Sequence, residues 1–285
     1  MNKHIPNLIL GTAQFGLDYG IANNTRKLCV KEIFDILEFA WENGVHSFDT
    51  APCYNSEKIL GDFIKVHGVE KEIKILTKIS AIKNKNEFKS AVRSNIENSL
   101  KNLGSRISVL FLHDPKDSTY LIENVSFFKR IVKEYSIKSL GVSVYTPDEV
   151  KKTNKSSFDL AYQFPLNILD RRFSRVIMPN GKRYARSIFL QGVLASKNSL
   201  RKGSSRKLKD IYEKYHQYIR SYNIDPIQAA ISFIEKNNNV DYFLVGVDNL
   251  KQLKKIIFLK LIDVSHLISH LPFQKKSRLY DPRNW

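Results

Sequence analysis

Short apolar runs alternate with longer stretches of helical period about eight times along the 285 residues, and this alternation most restricts the fold. The runs are Leu8–Leu10, Ser47–Phe48, Ile73–Leu76, Val109–Leu112, Leu140–Val142, Leu160–Tyr162, Ser187–Leu190 and Tyr242–Val245. Between them, apolar residues recur at three- and four-residue spacing. Ile33, Ile36, Leu37, Ala40 and Trp41 form one such stripe. Phe88, Val92, Ile96 and Leu103 form a second, and Leu121, Val125, Phe128 and Val132 a third. That spacing places each set on one face of a helix. Asn55 or Ser56 is placed to cap the helix that follows the second run, and Pro147 and Pro226 stand where helices begin. Strand then helix, repeated, predicts an α/β protein with a parallel sheet and outer helices. Eight units in this length predict closure into one (β/α)8 TIM barrel domain spanning 1–285. A doubly wound open sheet would place G-x-G-x-x-G after its first strand. The first run here leads into Gly11-Thr-Ala-Gln-Phe-Gly16, whose glycine spacing differs.

The formal net charge is +18, which suits an anionic partner or a lysine-rich solvated surface. Zinc-finger spacing, an aromatic RNA-binding motif and a basic zipper are all absent, so no nucleic-acid partner is expected. No run approaches the roughly 18 apolar residues of a membrane span. The opening MNKHIPNLIL lacks a secretory apolar core, and the two cysteines, Cys29 and Cys53, make no disulfide framework or zinc motif. A cytoplasmic setting is expected. One segment stands out by charge: 194–210 carries Lys197, Arg201, Lys202, Arg206, Lys207 and Lys209 against one acid.

In a barrel the working face lies at the C-terminal ends of the strands. Asp49 ends the second run, Tyr54 follows in its loop, Lys78 ends the third and His113 the fourth. These runs are neighbours in a barrel, so the four side chains can meet. Together they permit proton delivery to a carbonyl oxygen. A lysine cation near a phenol favours the phenolate, so Lys78 is expected to lower the Tyr54 pKa. Asp49 holds Lys78 in place, and His113 orients the carbonyl or shares the proton. None of these groups reduces anything, so a hydride must come from a cofactor.

These motifs resemble those of the aldo-keto reductases over nearly the whole chain. The resemblance rests on GTAQFG at 11–16, FDTAPCYNSEKILG at 48–61, TK at 77–78, LHDP at 112–115, GVS at 141–143, Gln163, LQGVL at 190–194 and VGVDNLKQL at 245–253. It implies a (β/α)8 barrel, NADPH or NADH bound without a Rossmann motif, and reduction of a small-molecule aldehyde or ketone. Asp49, Tyr54, Lys78 and His113 match the family's catalytic tetrad, and Ser143 and Gln163 its contacts to the nicotinamide amide. Arg186, Ser187, Gln191, Gly246, Asp248 and Gln252 match its other cofactor-binding positions. The chain, with DPRNW at 281–285, is also similar to a bacterial branch often found with surface-polysaccharide genes. The basic segment carries more cations than a cofactor pyrophosphate requires and, with Arg171, Arg172 and Arg175, points to an anionic substrate, a keto-sugar carried on a nucleotide, or else to a basic surface loop. The family also includes potassium-channel beta subunits, so a cofactor-binding regulatory protein is the alternative.

The departures are specific. The N-terminal hairpin that plugs many such barrels is missing or replaced. Val144 stands where asparagine usually follows the serine, and Arg186 where an aromatic often stacks on nicotinamide. Asp248 stands where a basic residue often meets the 2′-phosphate of NADPH, with Lys251, Lys254 and Lys255 nearby.

Overall fold

The computed structural model describes residues 5, 7–20, 26–82, 84–153, 156, 158–178, 181–196, 200, 204–271 and 280–281, the side chain of Lys85 excepted. Its strands are β1 (Leu8–Gly11), β2 (Ser47–Asp49), β3 (Lys74–Ile79), β4 (Ile107–Leu112), β5 (Ser139–Ser143), β6 (Ala161–Pro165), β7 (Arg183–Arg186) and β8 (Tyr242–Gly246). They close in chain order into one parallel barrel, with β8 pairing back on β1 from Leu8↔Phe243 to Gly11↔Gly246. Helices connect and surround the strands, as the alternation predicts.

Two apolar cores explain why several strands read as unbroken apolar runs. Along β1, Leu8 and Leu10 face the helices while Ile9 points into the barrel. Along β4, Leu110 and Leu112 face outward while Val109 and Phe111 point inward. A strand covered on both faces shows no polar alternation. The interior layer also holds Leu76, Ala161, Tyr184 and Leu244.

β7 departs from the reading of the sequence. The expected run Ser187–Leu190 is a succession of turns, with Ser187 and Leu190 in the left-handed region at φ 57° and 48°. The strand is the preceding Arg183–Arg186, which pairs with β6 from Tyr162↔Arg183 to Pro165↔Arg186. Its two central residues alternate, Tyr184 into the barrel and Ala185 toward the helices, and arginines flank them. Arg183 is anchored by an ion pair with Asp241 at 3.0 Å. Ile188 and Leu190 are buried all the same, so that run reflects packing under the turns rather than a strand.

The third helical stripe is also divided. Asn124 separates the helices Ser118–Glu123 and Val125–Glu134, and the second buries Phe127, Phe128 and Ile131. Restarting the helix rotates the buried face, which leaves Val125 and Val132 only partly covered. Pro147 and Pro226 open their helices as expected. In the basic segment, Lys197, Arg201 and Lys202 lie outside the described residues. Arg206, Lys207 and Lys209 are exposed on the first turns of the helix Arg206–Ser221, which the Ser205 hydroxyl caps. From 206 onward the segment is therefore helix rather than loop.

Among the described residues no strand precedes β1. The N-terminal end of the barrel carries the rings of Tyr184 and Tyr242, stacked at 5.2 Å. Also among the described residues, no helix is long and apolar enough to cross a membrane.

Phe111 fits inside because Gly141 faces it from β5. A Cβ at Gly141 would lie 2.5 Å from the Phe111 ring and 2.7 Å from the Ala161 carbonyl oxygen. Gly141→Ala therefore overpacks the barrel interior. It is expected to lower unfolding free energy by about 1–3 kcal/mol, measured as a reduced denaturant midpoint at unchanged slope.

Candidate active site

The site begins at the C-terminal end of β2. Asp49, the last residue of that strand, is buried, and its backbone carbonyl accepts from the N–H and hydroxyl of Thr12 in the loop after β1. The chain then makes a single 3-10 turn, Pro52–Tyr54, with proline supplying the fixed φ of its first position. Asn55, left-handed at φ 56°, reverses direction into the helix Glu57–His67. Ser56 stands at the N-cap, but its hydroxyl does not cap the helix. It pairs with the hydroxyls of Thr12 at 2.7 Å and Thr50 at 3.0 Å. Gly16 lies so close to this turn that a Cβ there would sit 1.9 Å from the Tyr54 carbonyl oxygen. The loops after β1 and β2 thus hold Tyr54 jointly.

Lys78 reaches the same place from β3. It is 1% exposed, and its ammonium donates to Asp49 Oδ2 at 2.7 Å and to the Thr50 carbonyl at 2.9 Å. The same ammonium lies 4.8 Å from the centre of the Tyr54 ring. His113 follows β4 and sets its ring edge-on to Tyr54 at 6.4 Å. The structure therefore brings together all four residues expected from the sequence. Cys53 Sγ, 3.8 Å from His113 Nδ1, is a neighbour of this group.

One expectation is reversed. Burial, followed by the charge of Asp49, pushes the Tyr54 phenol well above its ordinary pKa. The Lys78 charge is matched at 2.7 Å by Asp49, so the phenol faces an ion pair rather than a lone cation, and burial dominates. Burial also pushes His113 down to about 4, with Lys78 and Arg186 adding to the effect. At neutral pH the phenol keeps its proton and the imidazole is uncharged.

The cavity beside these groups has a volume of about 510 Å³. Of the residues singled out from the sequence, Asp49, Tyr54, Gln163, Arg186, Ser187, Gln191, Gly246, Asp248 and Gln252 line it. Ser143, buried at the end of β5 and paired in register with Gln163, is not among its lining residues. Gln163 Nε2 donates to Asp49 Oδ1 at 2.8 Å, so it braces the carboxylate as well as facing the cavity.

Past Arg186 the chain runs through left-handed Leu190, Gln191 and Gly192, at φ 48°, 52° and 90°. Among the described residues, the N–H groups of Gln191 and Gly192 meet no backbone acceptor. Successive N–H groups in such turns form concavities suited to anions. Helix Arg206–Ser221 holds these turns from behind, with His216 Nε2 donating to the Val193 carbonyl at 2.9 Å.

Beyond β8, the Asp248 N–H donates to Gln252 Oε1 at 2.8 Å, and Gln252 Nε2 donates to Asp248 Oδ2 at 3.3 Å. Of the three nearby lysines, Lys251 and Lys255 line the cavity. Lys255 is paired with Asp225 at 2.6 Å, and Lys254 lies over the Phe39 ring at 5.1 Å. Arg171 and Arg172 have structural partners: Arg171 donates to the Ile268 and Leu271 carbonyls, and Arg172 pairs with buried Asp170 at 2.7 Å. Among the described residues, no cluster of His, Cys, Asp and Glu is placed to hold a metal ion.

Tyr19 was missed by sequence reasoning. It lies in the loop after β1, lines the cavity, and has its phenol pKa raised by burial, with Arg186 opposing. The only signal was an aromatic residue in the loop Leu17-Asp18-Tyr19-Gly20 at the working end of the barrel.

The sequence profile of the Aldo/keto reductase family matches residues 7–263. The chain belongs to the aldo/keto reductase family. Members of this family are carbonyl oxidoreductases that generally use a nicotinamide cofactor. Among curated relatives it is similar to a D-threo-aldose 1-dehydrogenase of a Pseudomonas species, 26% identical across 85% of this chain and 88% of that one. Two solved structures share the fold. One is an aldo-keto reductase from Bacillus halodurans in its holo form, with TM-score 0.74, 19% identity, and coverage of 92% of this chain and 91% of that one. The other is a glycerol dehydrogenase from Gluconobacter oxydans, with TM-score 0.69, 19% identity, and coverage of 92% and 90%.

His113 gives this family member a pH signature. The unfolded chain protonates its histidines below about pH 6.5. Folded His113 stays neutral down to about 4. Between those limits the unfolded state binds more protons, so stability is lost as pH falls from about 6.5 to about 4. His216, also lowered by burial, acts in the same direction. Denaturation of wild type and His113→Gln across this range is expected to show a shallower acid loss in the variant, with the His216 contribution retained.

Proposed function

We propose that the chain, acting as one barrel domain, reduces an aldehyde or ketone with NADPH or NADH, and that Tyr54 is the proton donor. The observation that carries this reading is the convergence of buried Lys78, paired to Asp49 at 2.7 Å, with the Tyr54 ring 4.8 Å from its ammonium at the wall of a 510 Å³ cavity. The cofactor, when bound, supplies the hydride. The chain's residues do the rest. Neutral His113 orients the carbonyl oxygen toward the Tyr54 hydroxyl, which holds its proton until negative charge develops on that oxygen. The Lys78 ammonium beside the ring stabilises the phenolate left behind, and Asp49, braced by Gln163, fixes the lysine.

The cavity fits a dinucleotide. The left-handed turns at Leu190–Gly192 offer N–H groups for a pyrophosphate, and Lys251 adds a cation at the other wall. Gln163 and, at the neighbouring strand end, Ser143 are assigned to the nicotinamide amide. Arg186, Ser187, Gln191, Gly246, Asp248 and Gln252 are assigned to the rest. Asp248 favours a free ribose 2′-OH over a 2′-phosphate. With Lys255 occupied by Asp225, discrimination against NADH is expected to be weak.

For the substrate, we propose a keto-sugar, and a nucleotide-linked one in a surface-polysaccharide route. A relative named for an aldose supports the sugar, and the net charge of +18 supports the anion.

Two measurements test this. Tyr54→Phe keeps the ring and removes the proton donor. Turnover should fall by at least about a hundredfold while cofactor still binds. Near-normal turnover in the variant would refute the assignment, and no turnover by wild type on any simple aldehyde would favour a non-catalytic regulatory role. Separately, steady-state rates on a neutral aldehyde and a nucleotide-linked keto-sugar, at low and high salt, should show a salt-sensitive advantage for the anionic compound. An equal salt response for the two would remove the case for an anionic substrate.

A further inference from the structure

We propose that Arg186 makes the site bind the reduced nicotinamide cofactor in preference to the oxidised one. The inference rests on the reductase reading above and deepens it. Arg186 is the last residue of β7 and lines the cavity together with Asp49, Tyr54 and Gln163. Its guanidinium lies 4.1 Å over the centre of the Tyr145 ring, and it donates to the Val144 carbonyl at 3.2 Å and the Ser187 hydroxyl at 3.3 Å. These partners are neutral, and among the described residues no carboxylate forms an ion pair with it.

Of the charged residues that line this end of the cavity, Asp49 is matched by Lys78 at 2.7 Å, and neighbouring His113 is neutral above about pH 4. Arg186 is the cation that lines it beside them, and among the described residues it has no ion-pair partner. Its field reaches the groups around the reaction: it opposes positive charge on His113 and favours negative charge on Tyr54 and Tyr19.

Carbonyl reduction changes charge at that place. A bound nicotinamide would supply the hydride, two electrons with one hydrogen, that the carbonyl carbon takes up. Tyr54 gives its proton to the oxygen and is reprotonated from solvent. The balance is carbonyl plus reduced cofactor plus one proton, giving alcohol plus oxidised cofactor. The reduced ring is neutral and the oxidised ring is cationic, so turnover would add a second positive charge to the cavity that Arg186 lines. That repulsion is screened less in a partly enclosed site than on an open surface. An aromatic face would attract the cationic ring. The Tyr145 ring, which Arg186 covers, is not among the residues that line the cavity. The overall equilibrium is unchanged, but the spent cofactor is bound less tightly than the fresh one.

The test is direct binding without substrate. Purified protein is titrated with NADPH, NADP+, NADH and NAD+, followed by calorimetry. Wild type should bind the reduced form of its preferred cofactor at least about tenfold tighter than the oxidised form, or about 1.4 kcal/mol. Arg186→Gln keeps a planar polar group without the charge. It should narrow the ratio to below about threefold, mainly by tightening the oxidised form, while Arg186→Lys should retain the preference. A wild-type ratio below about threefold overturns the proposal, and needs no variant to be folded. A preference that survives Arg186→Gln overturns it as well. Failure of every nicotinamide form to bind would overturn the proposed function itself, and this inference with it.

Discussion

The Lys78–Asp49 pair is the interaction on which the site depends. Taking two charges out of water costs several kcal/mol per ion, and only close geometry with further hydrogen bonds offsets it. Both conditions are met. The ions are 2.7 Å apart, Lys78 also donates to the Thr50 carbonyl, and the second carboxylate oxygen accepts from Gln163. Gln163 comes from a strand 114 residues further along the chain, on the far side of the barrel. An open sheet would not deliver it. Closure of β8 onto β1 is therefore a condition of the site as well as of the fold, because it turns strands two, three and six toward one interior.

Pairing the lysine has an electrostatic consequence. Asp49 offsets the pull of Lys78 on the Tyr54 proton, and burial keeps the phenol protonated and the His113 imidazole neutral. The resting site holds no ready-made phenolate and no imidazolium. On the proposed reading, Tyr54 releases its proton only when an oxygen nearby begins to carry negative charge, which would tie proton transfer to the presence of the reacting molecule. Lysine and carboxylate act as a fixed dipole aimed at the ring, a preorganised arrangement of the kind that stabilises developing charge most effectively.

Much of this was legible in the sequence, for physical reasons that differ between elements. β1, β4 and β8 stand out because they are apolar on both faces, one against helices and one inside the barrel. β7 does not, because it contributes one inward ring and one outward methyl between two arginines, while the apolar residues after it are buried under turns. Asp49, Lys78 and His113 could be read from position alone, since each lies at the same end of consecutive strands. The direction of the Tyr54 shift could not, because it depends first on how deeply the phenol is buried and then on the nearby Asp49 charge. Tyr19 was hidden by its place in a loop, where neither periodicity nor strand position marks a side chain. The two arginines after β6 read as a charged rim, yet Arg171 holds carbonyls of the C-terminal helix and Arg172 a buried aspartate.

The hydroxyl cluster of Thr12, Thr50 and Ser56, with Gly16 pressed against the tyrosine turn, fuses two loops into one body. The opposite wall of the cavity is made of turns after β7 and β8, held by several side chains, among them His216 to the Val193 carbonyl, Asn167 to the Ser187 carbonyl and Tyr212 to the Ser196 carbonyl. The proposed proton donor lies on the first wall. Insertions or exchanges on the first wall would displace the proposed proton donor. Changes on the second would alter what the cavity holds while leaving Tyr54 in place. New binding preferences can therefore be built on the second half of this barrel with its first half unchanged.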